Sequence, residues 1–444
     1  MSSKPTVTMK VSPCEQGGLS GRVKAIPSKS VAHRALICAT LSNIATSFES
    51  IAQIDCEVTS KDIEVTTLCM QAIEAALKKR KKNVTLHCGE SGSTFRFLLP
   101  IIGALGLNAE FKLEGRLPER PLSPLYEEMV KHGCTLSPQG SKLFKCKGQL
   151  KSGHYIIDAG VSSQFISGLL FALPLLDGIS TIRLYGKTES ASYIDLTTAM
   201  IERFGIKVHF DGACFIMHGN QIYTAPSVEE SEGAILPVTI EGDWSNGAFW
   251  LSAGAISNNP VTVIGLDLDS CQGDRAILNI LEAFGAKIDI FDAKSSQNSK
   301  SSITVSKTAD GLKGIEIDAS DIPDLVPILS VVAAYSKGTT MIYNAGRLRI
   351  KESDRLAAMT EVLTTLGATV KETDDGLEIE GRKELTGGTL SSHNDHRIAM
   401  SAAIAATMCD GNVIIEDAAA VEKSYPHFFE DLRALGGICD EVAI

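Results

Sequence analysis

The sequence lacks a hydrophobic stretch long enough to cross a membrane. Its longest apolar stretch, residues 398–408, is Ala-rich and falls short of the roughly 20 residues that a spanning helix needs. The first five residues lead into no apolar region of the kind that marks a secretory signal. We therefore expect a cytoplasmic protein that has no membrane partner.

The regular cysteine spacing of a disulfide or zinc framework is also absent. The 11 cysteines show no C-x-x-C pair and no grouping with histidine, although such spacings mark both kinds of framework. Scattered cysteines are typical of reduced thiols in a reducing compartment. The sequence therefore predicts no metal site, and it agrees with a cytoplasmic location.

Net positive charge is missing as well. The chain carries 42 Lys and Arg against 53 Asp and Glu, a formal net charge of −11. Nucleic acids and anionic membranes attract cationic proteins, so neither is expected as the main partner. The basic run at residues 78–82 ends a predicted helix, where cations complement the helix dipole. A small anionic ligand remains compatible, because a local group of cations can oppose the overall charge.

What the 444 residues do contain is six polar clusters that each open directly into an apolar, Ala- and Leu-rich helix pattern. The clusters are residues 27–30, 91–94, 162–164, 243–246, 321–324 and 394–397. Free backbone N–H groups and the positive end of the helix dipole make such starts suitable for anions. Several starts also carry Lys or Arg, so the pattern predicts a pocket for small, multiply charged anions.

A second series of segments alternates with the first. Five amphipathic segments end at a glycine that is followed by a short β-branched run: Gly133, Gly205, Gly285, Gly367 and Gly436. Glycine suits the left-handed residue that ends a helix, and the alternation after it is typical of a strand. The two series together predict six α/β units. Periodicity leaves open whether the units form one ring or two groups of three.

Two of the cationic positions point to anion binding. Lys29 and Arg34 are spaced to share one helix face and could address the same anion. Residues 91–96 have the small side chains that let a backbone approach a phosphate, but they lack the G-K-[ST] ending of a nucleotide-binding loop. Arg120 is equally compatible with a carboxylate clamp and with a structural ion pair.

Other polar positions have two readings on local grounds. Ser162 and Ser163 suit either a phosphate or a helix cap. Asp324 is either a cap or a base toward an alcohol. Residues 351–355 are either an exposed helix start with ion pairs or one wall of a cavity, and residues 394–397 are either a cap or an anion site. Lys423 is uninformative by itself.

Taken together, these motifs resemble the 5-enolpyruvylshikimate-3-phosphate synthase family of enolpyruvyl transferases. The resemblance runs nearly from end to end, and the order and spacing of the motifs make it specific. The motifs are residues 27–30 with Arg34, Gly92 with Arg96, 119–121, 161–165, 193–195, 322–324, 351–355, 394–397 and Lys423. The resemblance implies a two-domain inside-out α/β barrel, each domain having three βαβαββ units with buried helices. It places one domain at residues 28–240 and the other at 1–27 plus 241–444, with the active site in the cleft between them.

The resemblance also implies a reaction of the shikimate pathway, which leads to chorismate and the aromatic amino acids. The enolpyruvyl (1-carboxyvinyl) group of phosphoenolpyruvate would pass to the 5-hydroxyl of shikimate 3-phosphate by addition and elimination, with release of phosphate. The residues implied for shikimate 3-phosphate are Lys29, Ser30, Arg34, Ser162, Ser163, Gln164, Ser190, Tyr193, Asp324 and Lys351. Those implied for phosphoenolpyruvate are Lys29, Gly92, Arg120, Gln164, Arg355, Arg397 and Lys423. Asp324, Glu352 and Lys29 would be catalytic, Arg96 and His396 would support them, and the enzyme would be a monomer without a metal or other cofactor.

Two other functions fit the same fold. The enolpyruvyl transferase that acts on UDP-N-acetylglucosamine usually carries a cysteine in a mobile loop, but this chain has none between Cys88 and Cys134. A non-catalytic anion-binding protein would not need Asp324, Glu352 and Lys29 intact. The sequence also departs from the common pattern of the family that it resembles. Residues 90–93 read E-S-G-S where N-A-G-T is common, and Phe97 replaces a frequent proline. We expect this departure to alter the fit of the phosphoenolpyruvate pocket.

Overall fold

Two separate hydrophobic cores divide the chain into two units. The continuous unit is Pro27–Ile240, and the discontinuous unit is Met1–Ile26 with Glu241–Ile444. Pro27 groups with the continuous unit, whereas the predicted domain begins at residue 28. The computed structural model describes residues 7–15, 17–46, 54–56, 59–187, 189–226, 238–292 and 301–442.

Twelve α-helices lie within these ranges. They are α1 (Lys29–Ala45), α2 (Lys61–Lys78), α3 (Gly92–Ala104), α4 (Leu125–Lys131), α5 (Ser163–Ala172), α6 (Ala191–Arg203), α7 (Trp244–Ile256), α8 (Ile277–Phe284), α9 (Val326–Ala334), α10 (Arg355–Thr365), α11 (His396–Ala406) and α12 (Phe428–Ala434). Every residue of α7, α9 and α11 is buried, and these three helices pack on one another. The predicted buried helices are therefore confirmed in the discontinuous unit.

The strands of the described residues are short. They are β1 (Thr8–Ser12), β2 (Gly21–Lys24), β3 (Ile54–Asp55), β4 (Asn83–Gly89), β5 (Asn108–Leu113), β6 (Cys134–Leu136), β7 (Leu143–Gly148), β8 (His154–Asp158), β9 (Ile179–Tyr185), β10 (His209–Phe210), β11 (Cys214–His218), β12 (Val238–Thr239), β13 (Val261–Ile264), β14 (Lys287–Phe291), β15 (Ser302–Ser306), β16 (Glu316–Asp318), β17 (Thr339–Tyr343), β18 (Thr369–Thr373), β19 (Gly376–Glu380), β20 (Gly388–Ser391), β21 (Val413–Glu416) and β22 (Ile438–Val442).

Five four-stranded sheets share one arrangement. Their strand orders are β4-β5-β7-β6, β8-β9-β11-β10, β2-β13-β15-β14, β16-β17-β19-β18 and β20-β21-β1-β22. In each sheet the first two strands are parallel and the remaining neighbours are antiparallel. A parallel pair needs a crossover, and α3, α5, α9 and α11 supply it in four of the sheets. This is the predicted βαβαββ unit.

The N-terminal strands complete two sheets of the discontinuous unit. Strand β2 pairs in parallel with β13, and β1 lies between β21 and β22. Strands β3 and β12 form a further parallel pair in the continuous unit. The chain therefore enters the discontinuous unit, leaves it to build the continuous unit, and returns. No helix in the described ranges is both long and apolar enough to span a membrane.

Most of the predicted helix starts are closed by a capping side chain. Ser28, Ser91, Ser162, Asp243 and Asp395 each accept a backbone N–H from the first turn of α1, α3, α5, α7 and α11. The remaining start lies later than its polar cluster, because α9 begins at Val326 with Leu325 in the capping position.

The predicted helix ends also agree with the structure. All five glycines have positive φ, from 82° at Gly205 to 104° at Gly133. Arg80, with φ 52°, takes this position after α2, where the sequence offers no glycine. The strand predicted directly after Gly205 is wrong, since β10 begins only at His209. The Gln221 side chain instead bonds both backbone groups of Lys207, with its Oε1 2.7 Å from the nitrogen and its Nε2 2.9 Å from the oxygen.

Gly168 allows α3 and α5 to pack closely. An added Cβ would lie 2.4 Å from the carbonyl oxygen of Arg96, a backbone atom that cannot move independently. Gly168→Ala should therefore lower the free energy of unfolding by about 1–3 kcal/mol, the usual range for overpacking. Urea unfolding followed by circular dichroism measures this loss.

Gly247→Ala is the matched control on a second buried helix. Its Cβ would first meet Cδ1 of Leu266 at 3.2 Å, the end of a flexible side chain. We expect a smaller loss than for Gly168→Ala, and equal losses would contradict the proposed role of backbone contact.

Candidate active site

Arg355, the first residue of α10, is the centre of the densest polar cluster in the discontinuous unit. Its side chain is 2% exposed, so a full positive charge is withdrawn from water. Nη1 donates to Asp324 at 2.9 Å, Nη2 donates to Glu352 at 2.8 Å, and Nε donates to Asp395 at 2.8 Å. These carboxylates raise the pKa of Arg355 against the effect of burial. We call Asp324, Lys351, Glu352, Arg355, Asp395 and Arg397 the Asp324 cluster.

Asp395 joins two helices within this cluster. Its side chain caps α11 by accepting from the backbone nitrogen of Arg397 at 2.9 Å, and it also accepts from Arg355 and from the hydroxyl of Ser353. It is completely buried, and although burial would raise its pKa, Arg355 and His396 hold the pKa of Asp395 below its usual value. The local sequence indicates the cap but not the bond to Arg355, because that contact joins residues 40 positions apart.

Asp324 lies between two guanidinium groups. Oδ1 accepts from Arg355, while Oδ2 accepts from Nη2 of Arg397 at 2.9 Å. Burial alone would raise its pKa, but Arg397, Lys351 and Arg355 together hold the pKa of Asp324 well below its usual range. The interpretation of Asp324 as a helix cap is wrong, because Leu325 holds that position. Its carboxylate instead accepts hydrogen bonds from Arg355 and Arg397.

Lys351 is a second unusual group in the cluster. Burial and the positive charge of Arg347 lower its pKa, Asp324 opposes this, and the result is a pKa of about 8 for Lys351. A lysine in this range changes its charge near neutral pH and can exchange protons with a bound substrate.

Residues 351–355 divide between two environments, the surface and the buried cluster. Asp354 caps α10 and pairs with Arg349 at the surface, as an exposed helix start would. Arg355 points inward, and Lys351 and Glu352 interact with the same buried cluster.

Asp274 is a buried carboxyl that sequence reasoning missed. It is 2% exposed and bonds the hydroxyl of Ser245. Burial and the charge of Asp324 raise the pKa of Asp274 to about 7, against the opposing effect of Arg397. The local sequence gives no signal of this role, because only the fold brings residues 245 and 274 together.

Two further predicted residues flank the Asp324 cluster. Lys423 ends a short 3₁₀ helix, Ala418–Lys423, and its Nζ donates to the carbonyl oxygen of Asn394 at 2.7 Å. His396 follows Asp395 and is 2% exposed. Lys423 thus contacts the segment just before α11, and His396 is the first residue of α11, next to Arg397 in the chain.

In the continuous unit, Lys29 pairs with a residue outside the predicted set. Its Nζ lies 3.1 Å from Oδ2 of Asp62, in the first turn of α2, and both side chains are mostly buried. A cation at the start of α1 is thus held in place by a neighbouring helix. Nothing in the local sequence of Asp62 indicated this role.

Arg34 brings two predicted residues together. Its Nη1 donates to the carbonyl oxygen of Ser30 and its Nη2 to that of Tyr193, both at 2.7 Å, while Nε donates to Thr197 at 2.8 Å. Burial lowers the pKa of Arg34 to about 10. It fixes the start of α1 against the start of α6. Ser190 also lies there, with a left-handed φ of 57°.

A second group joins the starts of α3 and α5. Arg96 donates to Oε1 of Gln164 at 2.9 Å, and Nε2 of Gln164 donates to the hydroxyl of Ser93 at 3.0 Å. Gly92 lies beside Arg120, since an added Cβ would be 2.8 Å from its Nη1. Ser162 caps α5 and Ser163 is its first residue, and neither takes part in the Arg34 contacts in the described part of the chain.

The groups of the two units have one chemical character. Backbone N–H groups at helix starts, buried guanidinium groups, a lysine and neutral donors suit ligands that carry phosphate and carboxylate. Within the described ranges, no three His, Cys, Asp or Glu side chains are grouped as metal ligands.

Known proteins share both the sequence and the fold. The profile of the EPSP synthase family, described as EPSP synthase (3-phosphoshikimate 1-carboxyvinyltransferase), matches residues 14–432. The 3-phosphoshikimate 1-carboxyvinyltransferase of Clostridium kluyveri is 42% identical over 443 residues, covering 96% of this chain and 97% of that protein. The protein of the same name from Clostridium acetobutylicum is 43% identical over 448 residues, with 97% of each chain covered.

Solved structures agree at the level of the fold. The EPSP synthase of Acinetobacter baumannii matches with a TM-score of 0.76 and 22% identity, covering 99% of this chain and 100% of that one. The enolpyruvyl transferase NikO of Streptomyces tendae matches with a TM-score of 0.73 and 18% identity, with the same coverage. The fold is thus that of the enolpyruvyl transferases. Within this class, the chain belongs to the EPSP synthase family, which confirms the resemblance inferred from its motifs.

The low pKa of Lys351 can be tested directly. Its amine should titrate with a midpoint near 8, and in Asp324→Asn the midpoint should fall further, because the Asp324 carboxylate raises it. Since the folded pKa lies below the ordinary 10.5, stability relative to Lys351→Met should rise between pH 8 and 10.5. NMR of reductively ¹³C-methylated protein reports the titration, with the signal assigned by its loss in Lys351→Met. Asp310→Asn, which removes an exposed carboxylate of the same unit, is the control. A midpoint above 10 would contradict the lowered pKa of Lys351. Equal shifts in both variants would contradict the effect of Asp324 on it.

Proposed function

We propose that this protein transfers the enolpyruvyl group of phosphoenolpyruvate to the 5-hydroxyl of shikimate 3-phosphate, releasing phosphate. The observation that carries the proposal is the Asp324 cluster, in which a carboxylate lies between two buried guanidinium groups beside a low-pKa lysine and a second carboxylate. Membership of the EPSP synthase family supports the choice of substrates. The product belongs to the shikimate pathway.

The cationic and neutral groups would divide between the two substrates. We assign Ser30, Arg34, Ser162, Ser163, Ser190, Tyr193 and Lys351 to shikimate 3-phosphate. We assign Gly92, Arg120, Arg355, Arg397 and Lys423 to phosphoenolpyruvate, and Lys29 and Gln164 to both. Arg96 and His396 would hold these groups in place. The proposal requires residues of both units to act on one pair of substrates, as the family resemblance implies.

Asp324 would give up its guanidinium partners when phosphoenolpyruvate binds. Arg355 and Arg397 both donate to Asp324, and a phosphate or carboxylate oxygen is an equally suitable acceptor for them. Loss of these hydrogen bonds would raise the pKa of Asp324 toward its ordinary value. The carboxylate would then be a better base for the 5-hydroxyl, so substrate binding itself would prepare the base.

The chemistry needs one group that removes a proton and another that supplies one. In the addition step, the oxygen of the 5-hydroxyl bonds to C2 of phosphoenolpyruvate while C3 gains a proton. In the elimination step, the C2–O bond to phosphate breaks and C3 loses a proton. We assign removal of the 5-hydroxyl proton to Asp324. We assign proton transfer to and from C3 to Glu352, with Lys29. Two carboxylates in different surroundings suit these opposite tasks.

We also propose that the enzyme acts as a cytoplasmic monomer without a metal or other cofactor. The scattered cysteines support the location. Light scattering on the purified protein should give a mass near 47.4 kDa, and a multiple of this mass would reject the monomer.

The activity is tested by phosphate release from phosphoenolpyruvate with shikimate 3-phosphate as the acceptor, and with UDP-N-acetylglucosamine in parallel. We expect release with shikimate 3-phosphate alone. Release only with the UDP-sugar would replace the proposed acceptor, and no release with either would favour an anion-binding protein.

Glu352→Gln should lower kcat by about 100-fold or more, because general acid–base groups contribute about 10²–10⁴. Its shape and hydrogen bonding to Arg355 are largely kept, so KM should change little. The control is Glu380→Gln, which neutralises an exposed carboxylate on β19 and should keep full activity. Equal activity in the two variants would remove Glu352 from the mechanism.

A further inference from the structure

A chain of short hydrogen bonds joins the first two turns of three helices in the continuous unit. Nδ1 of His33 on α1 lies 2.8 Å from Oγ1 of Thr66 on α2, which lies 2.6 Å from Oγ1 of Thr94 on α3. Thr94 Oγ1 is in turn 2.7 Å from the hydroxyl of Ser91, the cap of α3. All four side chains are at most 2% exposed. We call these residues the Thr66 chain.

Counting protons fixes which atom donates between His33 and Thr66. Each hydroxyl has one proton to donate. Thr94 donates its proton to Oγ of Ser91, so Thr94 Oγ1 accepts from Thr66. The carbonyl oxygen of Asp62, 3.1 Å from Thr66 Oγ1, accepts from the same hydroxyl. The Thr66 proton is therefore directed to these two acceptors, and His33 must supply its own proton from Nδ1.

The surroundings of His33 agree with a neutral ring. Burial first, and then the charges of Lys29 and Arg34, lower the pKa of His33 to about 3. With its proton on Nδ1, the ring leaves Nε2 as a bare acceptor, and Nε2 has no hydrogen-bond partner in the described part of the chain. A buried acceptor without a partner is tolerated better than a buried N–H without one. The contact at Nδ1 and the surroundings of Nε2 thus favour the same tautomer, the one with its proton on Nδ1.

The Thr66 chain connects two groups that the proposed reaction uses. Asp62 accepts the Thr66 hydroxyl through its backbone and holds Lys29 through its side chain at 3.1 Å. At the other end, Ser91 caps the helix whose first residue is Gly92. The Thr66 chain therefore connects the start of α1 to the start of α3 through the first two turns of α2. Ser91 stands where the family's common motif has alanine, so its hydroxyl belongs to the part of this chain that departs from the usual pattern.

We propose that Thr66 is a positioning residue for phosphoenolpyruvate, which sets Lys29 and Gly92 at a fixed separation through a neutral, Nδ1-protonated His33. The part of this proposal that concerns substrate rests on the proposed function. Valine has nearly the shape of threonine, so packing alone does not require a hydroxyl at this completely buried position. The hydroxyl is explained by its three polar contacts, with His33, Thr94 and the carbonyl oxygen of Asp62.

The tautomer is tested without any substrate. Protein labelled with ¹⁵N-histidine should show one ring protonated at Nδ1 and bare at Nε2, with no change between pH 8 and pH 5. The signal is assigned to His33 by its loss in His33→Gln. A ring protonated at Nε2, or one that becomes doubly protonated near its ordinary pKa, would overturn the proton assignment and the proposal with it.

The positioning role is tested by enzyme kinetics. Thr66→Val should raise KM for phosphoenolpyruvate about tenfold, because the hydrogen bonds by which Thr66 joins the three helices are lost. KM for shikimate 3-phosphate should change less than twofold, and Thr66→Ser should restore the normal value. Thr67→Val is the matched control, because Thr67 on the same helix makes the same kind of bond, to the carbonyl oxygen of Ile63 at 2.9 Å, outside the Thr66 chain.

The outcomes separate this proposal from the proposed function. Equal changes in Thr66→Val and Thr67→Val, or no rescue by Thr66→Ser, would overturn the positioning role. If the unaltered protein releases no phosphate, the proposed function fails, while the histidine spectrum still tests the proton arrangement. If Thr66→Val does not fold, that spectrum and the kinetics of Thr66→Ser still decide the matter.

Discussion

The burial of one guanidinium group, that of Arg355, is the constraint on which the site in the discontinuous unit depends. A charge removed from water this completely is tolerated only if anionic acceptors surround it. The acceptors come from three separate places: the turn before α9, the segment before α10, and the cap of α11. The three must converge, so one side chain sets how closely the starts of these helices approach. Since buried ion pairs add little net stability, its main effect is on the specificity of the arrangement.

The sequence predicts best those features that depend on local hydrogen bonding. The capped starts of α1, α3, α5, α7 and α11 and the five left-handed glycines follow from a few neighbouring residues, and all are present. The failures have distant causes. Where a strand is predicted after Gly205, the amide of Gln221 bonds the backbone of Lys207, 14 positions earlier. The late start of α9 leaves Asp324 outside the helix, where it meets cations from elsewhere in the fold.

The candidate site shows the same division. Asp324, Glu352, Arg355 and Arg397 belong to motifs that the sequence displays, and the structure links these four by direct hydrogen bonds. The sequence gives no indication of Asp62, Asp274 or Thr66, which hold or modify the predicted groups. Those residues lie in ordinary helical or loop sequence, and their importance comes from contacts with residues far away in the chain. Residues that belong to the motifs are thus easier to read from a sequence than residues that support them.

The way in which the chain leaves and re-enters the discontinuous unit affects how the protein is made. Strand β1 pairs with β21 and β22, about 400 residues later, whereas the whole continuous unit is a single uninterrupted segment. At about 5–20 residues per second, a ribosome supplies the partners of β1 only after tens of seconds. The continuous unit can fold as soon as it emerges, while the first strands wait with unpaired edges. A factor that shields exposed strand edges during synthesis would therefore act first on the N-terminal residues of this chain.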